Sequence, residues 1–462
     1  MWIGVWLKKG SGFVNLEICL ISSRKKEQTM ISHDRNRVLS FLSLSLVLFL
    51  VVSPHLALAK KGQTSSKNQA AANAKRQQTA RISQPAEASR GERGPLYCDA
   101  RAAFLLDALA GQVLYEQNAD QRIPPASFVK VMTLYLVYDA LRAGTLKLSD
   151  TVTISEKAWR IQGSKMFIKV GDRVKVEDLM KGIAIQSGND ACIAIAEHLA
   201  GSEDVFVAKM NEKAKLIGMT NSQFRNAHGM PAEGQFVTAR DMAILAKRYI
   251  EDHPEALALH SQTEFEYNGI RQMNRNLLLY KNIGVDGLKT GHIEESGYHL
   301  VATAKRDGQR MIAVVMGCER PNTRAVEAQK LLEYGFRNFA TVEAVKKGTV
   351  FGPLRVKRGK VKEVGLIASE DVRITVPREK EKSVSIVPRL PEYVTAPIRK
   401  GDALAKLAVQ NEGHVVREIG LLAASDVEKS LLPPLPILLG AGGGLILIAL
   451  VGFFILRHRR KR

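Results

Sequence analysis

Apolar residues recur along this chain with two different periods, and the change between them divides it. In AAFLLDALAGQVLYEQ (102–117) short apolar runs flank Ala110-Gly111 and predict two strands joined by a tight turn. PPASFVKVMTLYLVYDALRAG (124–144) shows three-to-four spacing and predicts a helix that begins after the prolines and stops at Gly144. Residues 147–186 mix short strand signals with a helical VEDLMKGIAIQ, and DACIAIAEHLA, DVFVAKMNEKAKLIG and TARDMAILAKRYIED follow as further helices. YHLVATAKRDGQRMIAVVMG predicts a hairpin turning at Asp307-Gly308, and AVEAQKLLEYGFRNF a closing helix. Strands at both ends with helices between predict an α+β domain over 95–340, its sheet built from segments far apart in sequence. From Thr341 the period shortens. TVFGPLRV, EVGLIA, VRITVPR and SVSIVPRL predict a small all-β domain over 341–425, and VEKSLLPPLP an extended connection after it.

Two longer apolar runs fit neither period. Leu39 to Val52 follows Arg35 and Arg37 and precedes Ala57-Leu58-Ala59. A basic start, a short apolar run and an A-x-A site predict a secretory signal peptide over 30–59. On that reading translation starts at Met30, and residues 1–29 are a mis-assigned upstream extension. Residues 435–456 carry no charge and are long enough to cross about 30 Å of hydrocarbon, which predicts a C-terminal transmembrane helix. The basic tail 457–462 then stays in the cytoplasm by the positive-inside rule. Together these predict a single-pass protein of the cell membrane whose bulk lies on the periplasmic, extracytoplasmic side.

Charge changes the picture less than its size suggests. The net charge is +21, from 67 Lys+Arg against 46 Asp+Glu, which points to anionic surroundings. Residues 60–94 are basic and poor in apolar groups, so they predict a disordered linker that carries much of the local excess. Export argues further against a nucleic-acid partner. Of the four cysteines, Cys19 lies upstream of the signal. Cys98, Cys192 and Cys318 remain, with no metal-type spacing; one bridge among them stays open.

Three short segments of the first domain carry candidate chemistry. In PPASFVK, Ser127 and Lys130 lie three apart at a helix start and share one face. A serine hydroxyl needs a base to become a nucleophile, and a lysine whose pKa is lowered by burial or nearby cations can serve. The alternative is a helix cap beside a solvated lysine. In QSGNDACIAIAEH, Ser187 offers a hydroxyl for proton relay and Asn189 an amide for a substrate peptide group; the alternative is a cap by Asn189 or Asp190. In VDGLKTGH, Lys289 and Thr290 can hold a carboxylate, and Gly291 lets a ligand approach the backbone; the alternative is an ordinary strand entry.

Each segment alone is weak, but S-x-x-K, then S-x-N, then K-T-G in this order resembles the penicillin-recognising serine enzymes. The S-G-N form points to the low-molecular-weight penicillin-binding proteins that are D-alanyl-D-alanine carboxypeptidases. GSKMFIKVGD, NAHGMPAEGQFVTARDMA and GYHLVATAKRDGQRMIAVVMG are similar to that family as well. The resemblance implies a β-lactamase/transpeptidase-like α+β domain, the small β domain after it, and cleavage of the terminal D-alanine from peptidoglycan stem peptides. It implies Ser127 as nucleophile, Lys130 as base and Ser187 as proton relay. Asn189 would orient the substrate amide, and Lys289 and Thr290 its carboxylate. The N–H groups of Ser127 and His292 would form the oxyanion hole, with Arg324 near the carboxylate. It implies β-lactams as inhibitors and no metal or organic cofactor. A β-lactamase reading is disfavoured, because no E-x-x-L-N segment lies between Ser155 and Ser187. A D-alanyl endopeptidase using the same residues stays open, and a non-catalytic cell-wall scaffold would leave the intact motifs unexplained.

Overall fold

The computed structural model describes residues 3–9, 12–18, 96–430 and 435–460, and only the backbone of 3–18, 435–443 and Leu445. The signal peptide expected over 30–59, the linker over 60–94 and Cys19 lie outside the described residues. Within the first unit, Met1–Gly91, strands Ile3–Lys9 and Gly12–Ile18 pair antiparallel.

The second unit, Glu92–Arg462, holds the chemistry. Its central sheet has five strands: β1 (Ala102–Asp107), β2 (Gln112–Gln117), β3 (Val285–Ile293), β4 (Gly297–Arg306) and β5 (Gln309–Cys318). Their order is β2-β1-β5-β4-β3, and every neighbour is antiparallel. Alternate side chains serve two cores. Ala103, Leu105, Ala313 and Val315 pack with Leu331, Leu332 and Phe336 of helix α5 (Pro321–Asn338). Phe104, Leu106, Ile312 and Val314 face the main helical core. Both faces are covered, so AAFLLD and MIAVVM read as unbroken apolar runs.

That main core holds helices α1 (Val129–Arg142), α2 (Asn189–Ala200), α3 (Glu203–Leu216) and α4 (Ala239–Asp252). Ala191 to Ala196 of α2 are all buried, as expected for a helix apolar all round. Helices α3 and α4 start where Ser202 and Thr238 accept hydrogen bonds from Val205 N and Asp241 N. The expected helix VEDLMKGIAIQ is α-helical over Val176–Lys181 and widens to a π turn over Gly182–Gln186. The sequence reading missed one hairpin, Glu264–Tyr267 with Ile270–Met273. Its Asn268-Gly269 turn has both φ positive, at 49° and 74°, the pairing that hairpin turns favour.

After α5 come β6 (Phe339–Val345), β7 (Val350–Lys357), β8 (Glu363–Ala368), β9 (Val372–Pro377), β10 (Val384–Arg389), β11 (Val394–Thr395), β12 (Ala403–Asn411) and β13 (His414–Ala423). β6 pairs with β9, and the rest form a sheet in the order β10-β12-β13-β8-β7-β11. This part closes around Leu354, Val364, Leu366, Leu407 and Leu421. Pairing of Gly359 with Lys429 carries it four residues past the expected end at 425. Buried Asp107, at the end of β1, joins it to the first sheet by accepting from Thr375 Oγ1 at 2.8 Å and from Thr341 Oγ1. Helix α6 spans Leu435–Arg459. Among the residues whose side chains are described, no helix is long and apolar enough to cross a membrane.

Candidate active site

Pro124 and Pro125 end the connection from β2, and a 3-10 turn over Ala126–Phe128 carries Ser127 into α1. Neither helix start is capped by a side chain, so the cap reading of Ser127 fails. Its hydroxyl is engaged elsewhere. Ser187 Oγ donates to Ser127 Oγ at 2.9 Å, and Lys130 Nζ lies 3.1 Å from the same oxygen.

The surface reading of Lys130 fails as well, because the residue is 0% exposed. Burial, with Arg275 adding to it, pulls the amine down to about 8, against the opposing pull of Cys192 and Asp190. Besides Ser127, Nζ contacts Asn189 Oδ1 at 2.8 Å and the carbonyl of His228. Both are oxygens that only accept. A neutral amine therefore gives them its two N–H bonds and turns its lone pair to the Ser127 hydroxyl.

The second segment closes over the first. Ser187 follows the π turn in the left-handed region, with φ 66° and ψ 34°. A non-glycine residue there costs on the order of 1–3 kcal/mol and persists only where its surroundings demand it. Here that conformation goes with the bond to Ser127. Asn189 opens α2, and its Nδ2 donates to Gln162 O at 2.7 Å. The carboxylate of Asp190 accepts from Met166 N and Phe167 N at 3.0 Å each, holding the 162–168 loop against α2. Asn189 and Asp190 thus serve the site and its loop, while Gly188 takes the uncapped N-cap position.

The third segment lies within an edge strand rather than leading to one. Lys289, Thr290 and Gly291 are buried in β3, whose only sheet neighbour is β4. A Cβ on Gly291 would come within 3.3 Å of Pro125 O and of Ala126 Cβ, so β3 runs hard against the Ser127 turn. Burial and the charges of Lys130 and Arg275 hold Lys289 well below the usual lysine range. Arg324, on α5, donates to Gly291 O at 3.0 Å and is held down to about 10, chiefly by burial. His292 is exposed and stacks on Tyr298 with ring centroids 3.9 Å apart. Arg275 donates to Ser164 Oγ at 2.9 Å. Lys289 feels the charges of Lys130, Arg275 and Arg324, which leaves the site short of negative charge. Such a cleft suits an anionic group on its ligand.

Residues 88–320 match the model of the D-alanyl-D-alanine carboxypeptidase family, and 339–429 match that of the penicillin-binding protein 5 C-terminal domain. The D-alanyl-D-alanine carboxypeptidase DacC of Escherichia coli is 45% identical over 339 residues, 72% of this chain and 85% of that protein. The chain belongs to the D-alanyl-D-alanine carboxypeptidase family. Membership makes it a serine-type D-Ala-D-Ala carboxypeptidase. DacA of Escherichia coli is 40% identical over 340 residues, 72% of this chain and 84% of that protein. The crystal structure of penicillin-binding protein 5 from Haemophilus influenzae superposes with a TM-score of 0.69 at 38% identity. It covers 73% of this chain and 100% of that one.

Two groups at the site were not singled out from the sequence, Arg275 and the carbonyl of His228. Arg275 stands in NRNLL, which has no local signature. The carbonyl of His228 comes from a turn whose sequence, NAHGMP, carries only the family resemblance. Among the described residues Cys98, Cys192 and Cys318 are all free and buried.

Proposed function

We propose that Ser127 is the nucleophile that attacks the carbonyl between the last two D-alanines of a peptidoglycan stem peptide. Lys130 takes its proton. The observation that carries this is the environment of one nitrogen: a fully buried amine, 3.1 Å from Ser127 Oγ, whose other two contacts can only accept. The oxyanion forms against the N–H groups of Ser127 and His292. An edge strand leaves alternate N–H groups unpaired, and β3 lies against the Ser127 turn. Donors so placed are each worth about 3–4 kcal/mol in a transition state.

Ser187 passes a proton to the departing D-alanine; its 2.9 Å bond to Ser127 supports this role. Lys289, Thr290 and Arg324 receive the terminal carboxylate, and Asn189 orients the substrate amide. Gly291 leaves the strand edge open to the peptide. Water then hydrolyses the ester. A β-lactam offers a strained amide to the same serine and leaves a slowly hydrolysed acyl group. Intact-mass and peptide mapping after benzylpenicillin treatment tests this: one adduct on the Ser127 peptide is expected. Folded protein with no adduct, or with one elsewhere, overturns it.

The site works on the extracytoplasmic side, held by α6 as a transmembrane anchor. Supporting this, Leu435 to Leu456 carry no charge, and Ile446 to Leu456 are exposed apolar residues apart from Ala449 and Gly452. Alkaline carbonate should leave the protein in the membrane pellet; extraction into the supernatant would contradict a spanning helix.

A further inference from the structure

We propose that Glu203 is a positioning residue for the general base: it holds the turn whose backbone carbonyl aims the amine of Lys130. The proposal rests on Lys130 being the proton acceptor. One of the two contacts that direct its lone pair is Asn189 Oδ1, fixed on helix α2. The other is the carbonyl of His228, in an irregular segment between α3 and α4. Something must hold that segment, because an acceptor that drifts frees the amine to rotate off Ser127.

Groups on two helices, Thr133 and Glu203, hold it, beside the turn's own Asn226, whose Oδ1 accepts from Gly229 N at 2.6 Å. Thr133 Oγ1, on α1 three residues after Lys130, donates to Ala227 O at 2.6 Å. Glu203, the first residue of α3 and 7% exposed, accepts from Ala227 N at 3.0 Å. The same Oε1 lies 3.3 Å from His228 Nε2, and Oε2 pairs with Lys157 at 2.8 Å. The imidazole has one consistent tautomer. Met230 N donates to Nδ1 at 3.1 Å, so the ring proton sits on Nε2, the nitrogen nearer Glu203. Burial and the Lys130 charge hold His228 down to about 4, so the ring is neutral where the enzyme works. The carboxylate therefore accepts the Ala227 N–H and lies 3.3 Å from the His228 ring, and so holds the turn that presents the His228 carbonyl to Lys130. The charged and titratable groups around Glu203 are Lys157 of the short helix Glu156–Arg160, His228 of the turn and Cys192 of α2. Glu203 reaches Lys130 through the turn, by way of Ala227 and the His228 carbonyl.

The test is stopped-flow acylation of the full-length protein by a fluorescent penicillin, resolved into binding and acylation constants across pH, with thermal melts alongside. Glu203→Ala should acylate roughly 10- to 100-fold more slowly with its binding constant changed less than about 3-fold, a part of what a general base supplies. A carbonyl holds an ammonium more tightly than an amine, so the midpoint of the alkaline-rising limb should fall by ~0.5 pH unit or more. Glu203→Gln keeps an acceptor for Ala227 N but sets an amide NH2 near Lys157 and His228. It should lie between wild type and Glu203→Ala, and it carries the test if the alanine variant does not fold. Wild-type rate and pH profile in folded Glu203→Gln and Glu203→Ala, with Lys130→Ala inactive, overturn the proposal and leave the reading of Lys130 intact. Fast acylation by Lys130→Ala overturns both.

Discussion

The amine of Lys130 and the hydroxyl of Ser127 lie 3.1 Å apart inside a core from which the lysine is wholly shut off from water. One turn of helix brings them together, but the pair works because distant segments close on it. Asn189 is 59 positions away and His228 98.

Acylation should follow the free amine. With Lys130 held near 8, the rate of penicillin acylation should rise through about pH 8 and level off above it. Lys130→Arg, whose guanidinium stays charged, should lose at least about 100-fold across the range. A rate independent of pH from 6 to 10 would remove Lys130 as base.

The same burial costs stability. The unfolded chain, with an ordinary lysine near 10.4, binds its proton more readily than the folded one, so stability rises between about pH 8 and 10.4. Below that window the penalty is fully present, of order 3 kcal/mol before hydrogen bonds are counted. Denaturant titration of wild type and Lys130→Met should show the variant's relative stability falling as pH rises through the window. A constant or growing difference contradicts a lowered lysine pKa.

The cationic end of the cleft should read a carboxylate. Arg324→Ala should raise KM for a peptide ending in free D-Ala-D-Ala by about 10- to 100-fold. A C-terminally amidated peptide, which offers no carboxylate, should be affected far less. Equal losses on both would assign Arg324 only to holding Gly291 O.

Gly229 should tolerate no side chain. Its φ is +90°, and a Cβ there would sit 1.9 Å from Ala126 O, beside the nucleophile. Gly229→Ala has to displace either the 226–230 turn or the Ser127 turn. Expected is a destabilisation of at least about 2 kcal/mol, with acylation slowed in whatever folds. A variant with wild-type melting and acylation would show that the two backbones are not in contact.

Much of this was legible in the sequence because the relevant signals are local. Unbroken apolar runs marked β1 and β5 as strands, and Asp307-Gly308 marked the hairpin of β4 and β5. Ser127, Ser187 and Lys289 stood out through short motifs in order. What could not be read was burial and partnership. Nothing in FVKVM separates a surface lysine from one enclosed by α2 and the 226–230 turn. The order within the sheet, which puts β3 at the edge beside Ser127, depends on pairing between β1 and β5, such as Met311 with Asp107, far apart in sequence. Arg275 and Glu203 matter through neighbours that folding alone supplies.

The central claim is that Ser127 carries the acyl group in D-alanine release. The direct test is D-alanine freed from a stem pentapeptide ending in D-Ala-D-Ala, by wild type and by Ser127→Ala at equal amounts of folded protein. One D-alanine per peptide from wild type and none above background from the variant is the predicted result. Release by Ser127→Ala at the wild-type rate would contradict it.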